Sequence, residues 1–427
     1  MNIDHAARRA RIAPQLGLTN EILLVGAGHQ IPKPEISDAL LPFIAHQEYY
    51  YLTGLADAMG GIVAYDPKSG PQNGWICFMP EVTEAERVWE GRTQLPGEPM
   101  GKFSAWLAAR SGRPVVMFGV PVSGVAFDAS RTAVVREAYK HARRVKEPGE
   151  IDLMRKCAAA TAAGYAAVQP FLKPGVSERR MQVELEAGYF REGANKTGYD
   201  TIIGVGAQSA VLHGTPSRDR IAKEGDFILI DSGAEWDRYV IDVTRTYVAG
   251  KPTAFQRDLM QAVLNAEVRA IEKCRPGTEW VDVHFGAAHD MISALVDMGV
   301  MKGHAQSLIE QDAHTLFFPH GLGHMLGLGV RDAGGMEPGR TKSTRPALAT
   351  LRQDLILRPG YIVTVEPGLY FIPQLLNDPK RREKYRDCVN WELADKMISI
   401  GGVRFEDNIL VTDGAPENLT AAIPTGL

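Results

Sequence analysis

The chain has 427 residues, of which 45 % are hydrophobic and 23 % charged, with a formal net charge of −4. This is an ordinary balance for a globular protein, and with no basic face it argues against a nucleic-acid partner. The four cysteines (Cys77, Cys157, Cys274, Cys388) lie far apart without CxxC or zinc-type spacing, which suits a reducing compartment; no run approaches the roughly 18 apolar residues of a membrane span.

The opening stretch MNIDHAARRARIAPQLG lacks the apolar core of a signal peptide, so a soluble, cytoplasmic protein is expected. The length suggests two or three domains at roughly 150 residues each. Residues 1 to about 145 read as a mixed α/β unit: the strand-like runs GGIVAY and GWICFM are separated by the turn signals DPKSG and PQNG. The basic stretch KHARRVKEPGE follows and reads as a solvated linker. Pro148 and Glu150 suit a helix start, and Ile151, Met154, Ala158 and Tyr165 then recur at helical spacing. These signals put a domain boundary near 145, dividing 1–145 from 146–427.

The second part reads as duplicated. Pro174-Gly175 and Pro276-Gly277 each follow one helical pattern and precede another, and each half then reaches strands ending in a carboxylate, FILIDSGAEW and YIVTVEPGLYF. A weak repeat of this kind suggests two halves about a pseudo-two-fold axis, with a site at their interface.

Asp231 and Asp242 lie in FILIDSGAEWDRYVIDVTRTYV. A turn centred between Trp236 and Asp237 sets Asp231 opposite Asp242, with side-chain bases about 5 Å apart. Two such carboxylates repel unless one takes a proton or a cation sits between them. Glu366 and Glu406 likewise end apolar strands, and buried carboxylates need a shared partner. Arg404, two residues from Glu406 on the same strand face, is placed to pair with it and orient it. In HGLGHMLGLGVRD the glycines oppose a helix, and they match neither GxGxxG nor the lysine-bearing phosphate loop. One imidazole with four carboxylates makes an oxygen-rich divalent-metal site.

Asp231, Asp242, His324, Glu366 and Glu406, in the contexts DSGAEW, DVTRTY, HGLGH, VEPGLY and GGVRFED, resemble the five-ligand site of the pita-bread metallopeptidases over about residues 145–427. YYLTGL at 50–55 resembles the amino-terminal domain of prolidases and proline aminopeptidases, and EPGLYFIPQLL with NWELADKMISIGGVRFEDN resembles prolidase most closely. The resemblance implies an α/β (α+β) architecture: a smaller mixed α/β amino-terminal domain (1–145) and a pseudo-two-fold duplicated pita-bread catalytic domain (146–427).

It further implies a binuclear exopeptidase cutting Xaa-Pro bonds with a metal-bridged hydroxide, first as an Xaa-Pro dipeptidase. The alternatives are an aminopeptidase P acting on longer peptides and a non-catalytic binding protein that keeps the fold. Two divalent ions per chain (Mn²⁺, Co²⁺ or Zn²⁺) are expected, Asp242 and Glu406 bridging both, Asp231 completing one site, and His324 with Glu366 the other. Glu366, His213 and Arg404 form the expected catalytic set, Glu366 shuttling the proton to the leaving nitrogen. His213, His320, Arg331, Tyr199 and Tyr370 are the expected substrate residues. A small Xaa-Pro peptide is the expected substrate, and a homodimer the expected assembly.

Three positions depart from the resembled pattern. Arg331 replaces the histidine of HGxGHxxGLxVHD, Ile44-Ala45 stands where Arg-Gln is usual, and Gly214 follows His213 in place of tyrosine. Arginine stays charged and cannot shuttle a proton, but it can bind an oxyanion or a carboxylate.

Overall fold

A computed structural model describes residues 3–34 and 39–426. The chain forms two compact units, Asn2–Arg143 and Arg144–Leu427.

In the first unit the strand Ile62–Tyr65 pairs antiparallel with both Ile22–Gly26 and Trp75–Met79. The parallel edges Val115–Gly119 and Glu98–Pro99 extend this to five strands. Ile22, Leu24, Ala64, Phe78, Phe103 and Met117 fill one face. The YYLTGL motif supplies the helix Gln47–Thr53, which Gly54 ends at φ 70°. Ala45, one of the departures, is buried just before it, whereas Ile44 is exposed.

The second unit opens with the helix Pro148–Val168, started as its sequence predicts by Pro148 and a capping box between Glu147 and Glu150. Met154, Ala158 and Tyr165 on this helix are buried, and the Tyr165 hydroxyl lies 3.2 and 2.8 Å from the carbonyls of Ile230 and Val243. The helix packs on Glu178–Arg191 through a glycine pair, since a Cβ on Gly188 would lie 2.5 Å from Gly164 Cα. The later pair, Ala254–Glu272 and Trp280–Asp297, repeats the order, and the intervening turns carry Gly175 and Gly277 at φ 85° and 84°. Trp280, fully buried, belongs to the large core under this second pair. Burying one such side chain stabilises by about 2–3 kcal/mol.

Each helix pair backs a short sheet. One has the order Thr244–Val248, Phe227–Asp231, Ile202–Val205, and the other Ile362–Val365, Asp407–Leu410, Glu417–Asn418. A bridge between Thr244 and Glu406 joins the two halves.

The basic stretch after residue 140 is not a solvated linker. Arg144 is buried and donates to the carbonyls of Ala333, Gly334 and Met336 at 3.1, 3.2 and 3.1 Å. Lys146 Nζ lies 2.8 Å from Asp332 Oδ2, with the two side chains 0 % and 1 % exposed. Charge counting misses this because the acceptors come from a loop nearly two hundred residues away. No helix among the described residues is long and apolar enough to cross a membrane.

Candidate metal centre and its cleft

The register of the first hairpin differs from the sequence expectation. Its turn is Asp237-Arg238, both left-handed at φ 49° and 70°, as a two-residue type I′ turn requires. Trp236 therefore pairs with Tyr239, and Asp231 stands opposite Thr244 rather than Asp242. The two aspartates still converge: the Tyr199 hydroxyl lies 2.7 Å from Asp231 Oδ1 and 2.5 Å from Asp242 Oδ1. One hydroxyl has one proton to give, so the second carboxylate needs another proton or a cation.

In the second hairpin Val365 pairs with Asp407, so Glu366 and Glu406 sit at its end. The segment HGLGH runs extended beside this hairpin, with Thr364 N donating to His324 O and Glu366 N to Leu322 O. Gly323 is required here, because a Cβ would lie 2.0 Å from Thr364 O. The His324 Nδ1–H points at Met325 O, 3.1 Å away, which turns Nε2 toward the acids. Nε2 lies 3.4 Å from Asp242 Oδ2 and 3.8 Å from Glu366 Oε1.

Ligand-type atoms of Asp242, His324 and Glu406 all lie within 4.8 Å of one another, and all three residues are buried. Burial, the nearby Asp242 and the nearby Glu366 push the Glu406 carboxyl well above its usual range. Burial likewise raises Asp231 to about 7, opposed by Arg404 and reinforced by Asp242. Glu366 is raised by burial, against the pull of His324 and Arg404. Burial disfavours charge on His324, but Asp242 and Glu366 outweigh it and raise its pKa. Clustered acids that resist ionisation, with one imidazole lone pair aimed at them, are the donor set a divalent cation relieves. The residues present fit a metal centre.

Asp231 should therefore contribute stability to the metal-free protein that is lost as the pH rises. Asp231 moves from 3.8 unfolded to about 7 folded, so between these values the folded chain holds a proton that the unfolded chain has released. That stabilisation is fully present below the lower value and is lost as the pH passes the upper one. Buried neutral His284, His314 and His320 gain stability over the same range. The readout is therefore the melting temperature of wild type relative to Asp231→Asn in chelator, which is expected to fall by several degrees from pH 5 to pH 8, with Mn²⁺ or Zn²⁺ restoring most of the loss at pH 8. A flat or rising profile would contradict the assignment of these acids as a destabilised cluster.

Arg404 does not chiefly serve Glu406, from which its Nε lies 4.0 Å away. Its Nη2 is 2.5 Å from Asp231 Oδ2, its Nη1 donates to Tyr370 Oη at 3.0 Å, and its Nε donates to Thr244 Oγ1 at 2.9 Å. Thr244 in turn donates to Glu406 Oε2 at 2.8 Å, so the guanidinium reaches that glutamate through the threonine.

Tyr370, expected to touch substrate, is fully buried behind His320. Its hydroxyl lies 2.9 Å from His320 Nε2, while His320 Nδ1 lies 2.9 Å from Gly321 O. Both ring nitrogens are thus engaged. Burial, reinforced by Arg404, lowers the His320 pKa to about 3 and keeps the ring neutral.

Tyr199, His213, His320 and Arg331 line a cleft of about 990 Å³ together with the five ligand-type residues and Arg404. The His213 pKa is lowered by burial and then by Arg331, Arg404 and Arg352. Sequence reasoning missed Thr244, Asn408 and Arg352. Asn408 brackets the Asp242 backbone, accepting from its N–H at 2.8 Å and donating to its carbonyl. Thr244 had a signal, since DVTRT places it on a strand beside a ligand candidate; Arg352 lies in a loop without periodicity.

Known proteins resemble this chain in sequence and in fold. Residues 152–413 match the profile described as metallopeptidase family M24, and residues 5–106 that of the aminopeptidase P amino-terminal domain. A probable Xaa-Pro aminopeptidase of Verticillium alfalfae is 30 % identical over 442 residues, covering 98 % of this chain and 94 % of its own. One from Sordaria macrospora is 31 % identical over 409 residues, covering 91 % and 86 %. The structure of Pseudomonas aeruginosa aminopeptidase PepP superposes with a TM-score of 0.78 at 25 % identity, covering 99 % and 96 %. Zinc-substituted Escherichia coli aminopeptidase P in complex with product gives 0.76 at 25 % identity, also covering 99 % and 96 %.

Proposed function

Because the chain belongs to metallopeptidase family M24, we propose that it is a metal-dependent exopeptidase releasing the residue before a proline, acting as an Xaa-Pro aminopeptidase. The relatives' names favour this over the dipeptidase that the prolidase-like words suggested. The observation that carries the reading is the convergence of Asp231, Asp242, His324, Glu366 and Glu406 on one cleft large enough for a short peptide.

In this reading Asp231, Asp242, His324, Glu366 and Glu406 would hold the divalent metal. Bound there, such ions polarise the scissile carbonyl and make water a nucleophile at neutral pH. Glu366, whose side chain is 18 % exposed at the cleft, takes the water's proton and hands it to the departing proline nitrogen. Burial, by raising its pKa, suits it to carrying that proton. Arg404 holds Asp231, and through Thr244 Glu406, in the ionised, metal-ready orientation. The neutral His320, with one ring nitrogen held by Tyr370 and the other by the Gly321 carbonyl, offers a fixed wall against which the substrate packs. Four unpaired cysteines support a reducing, cytoplasmic setting.

The test is a panel of Ala-Pro, Ala-Pro-Ala and Ala-Ala-Ala with Mn²⁺, Co²⁺ or Zn²⁺ added. Release of free alanine from Ala-Pro-Ala, and none from Ala-Ala-Ala, is expected. If no proline peptide of either length turns over with any of the three metals, the proposal is wrong.

A further inference from the structure

Lys146 Nζ and Asp332 Oδ2 meet at 2.8 Å with both side chains shielded from solvent. Taking two charges out of water costs free energy that their attraction recovers only with good geometry and further hydrogen bonds. A well-packed apolar pair often serves stability as well, so stability alone is a weak account of this ion pair. Its geometry gives a stronger one.

Asp332 closes the segment HMLGLGVRD, residues 324–332. Its backbone N–H donates to the Met325 carbonyl at 3.1 Å, and its Oδ2 accepts from Leu328 N at 3.2 Å. The segment thus folds back on itself around one carboxylate, and the Lys146 ammonium holds that carboxylate through the same oxygen. Gly327 lets the pair close, because a Cβ there would lie 2.6 Å from both Asp332 Oδ2 and Lys146 Cε. The Met325 carbonyl also accepts from His324 Nδ1–H at 3.1 Å, the contact that turns Nε2 toward the acids. One carbonyl oxygen, with its two lone pairs, therefore serves both the His324 ring and the Asp332 backbone. The main chain of Lys146 is tied to the second hairpin as well. Its N–H donates to the Gly360 carbonyl at 2.8 Å, just before the strand Ile362–Val365 that leads to Glu366.

We propose that Lys146 is a positioning residue for the metal centre: through Asp332 and the Met325 carbonyl it holds His324 with Nε2 aimed at the acids, and so sets metal affinity. The inference rests on the reading of His324 and its four acidic neighbours as the metal-holding residues. A ligand imidazole is oriented by the group that its other nitrogen bonds, and losing such support costs roughly 10–100-fold in metal affinity or activity. Here that group is a main-chain carbonyl, which no substitution removes. The side chains that fix the carbonyl therefore carry the effect.

The test is the Zn²⁺ dissociation constant, read by competition with a chromophoric chelator, for wild type, Lys146→Met, and Lys146→Met combined with Asp332→Leu. The single substitution strands a buried carboxylate and can prevent folding, whereas the double one removes both charges with side chains of similar size. The double variant should keep a melting temperature in chelator within a few degrees of wild type while its Zn²⁺ Kd rises at least about tenfold. Histidine-labelled, zinc-loaded protein should also show faster exchange of the His324 Nδ1–H with water in the double variant. A double variant whose Zn²⁺ Kd and Nδ1–H exchange match wild type overturns the positioning role, whatever its melting temperature, and leaves the exopeptidase reading intact. If wild type hydrolyses no Xaa-Pro peptide but the double variant still binds Zn²⁺ about tenfold more weakly, the exopeptidase reading fails and the positioning role stands. Absence of Zn²⁺ binding by wild type overturns both.

Discussion

Asp242→Asn should reduce kcat/KM on Ala-Pro-Ala by at least about a thousandfold, equivalent to roughly 4 kcal/mol of transition-state stabilisation, and abolish the metal-induced rise in melting temperature. Asp242 Oδ2 lies 3.4 Å from His324 Nε2, and Asp242 is one of the three residues whose ligand atoms cluster within 4.8 Å. Its charge also opposes ionisation of Asp231, Glu366 and Glu406. Removing that charge while keeping the shape should therefore make the metal-free protein more stable, even as the metal-loaded form is lost. The opposite signs separate a ligand from an ordinary structural aspartate, whose loss lowers stability with or without metal. A variant that keeps its metal-dependent thermal shift would remove Asp242 from the proposed centre.

Arg404→Met should destabilise the metal-free catalytic unit by about 3–5 kcal/mol, because a buried charge is left without its partner. The guanidinium is 4 % exposed and faces Asp231, Thr244 and Tyr370. Metal loading should recover part of the loss, since bound cations replace the missing positive charge. Arg404→Lys should fall between the two, keeping the charge but not the three-way fork. Denaturant titration with and without Zn²⁺ measures both differences. Wild-type stability of Arg404→Met in chelator would mean that Asp231 draws its compensation from elsewhere.

Much of the catalytic unit was legible locally. Proline in the first turn with an acid at the third position favours a helix start through local backbone geometry, and Pro148 with Glu150 did so here. The paired Pro-Gly turns announced two helix pairs because a left-handed glycine ends one helix before the next begins. Four of the five ligand-type residues were recognisable because carboxylates at the ends of apolar strands conflict with burial unless something charged joins them, and His324 was singled out by the resemblance of HGLGH.

The hairpin register was misread at one point. Asp237-Arg238 is a type I′ turn without glycine, so the turn was placed one residue early and Asp231 was set against Asp242 instead of Thr244. Local sequence is weakest where a residue adopts a backbone conformation its type seldom favours.

By itself, the sequence determined which side chains could serve a metal and which segments were helices, turns and strands, since those properties follow from residue type and spacing over a few positions. Tertiary structure alone decided the pairings: Arg404 with Asp231, Lys146 with Asp332, and Tyr370 behind His320. Each depends on segments far apart in the chain meeting, as at the Thr244–Glu406 bridge. A long charged or aromatic side chain takes whatever partner that meeting supplies, and no local pattern encodes it.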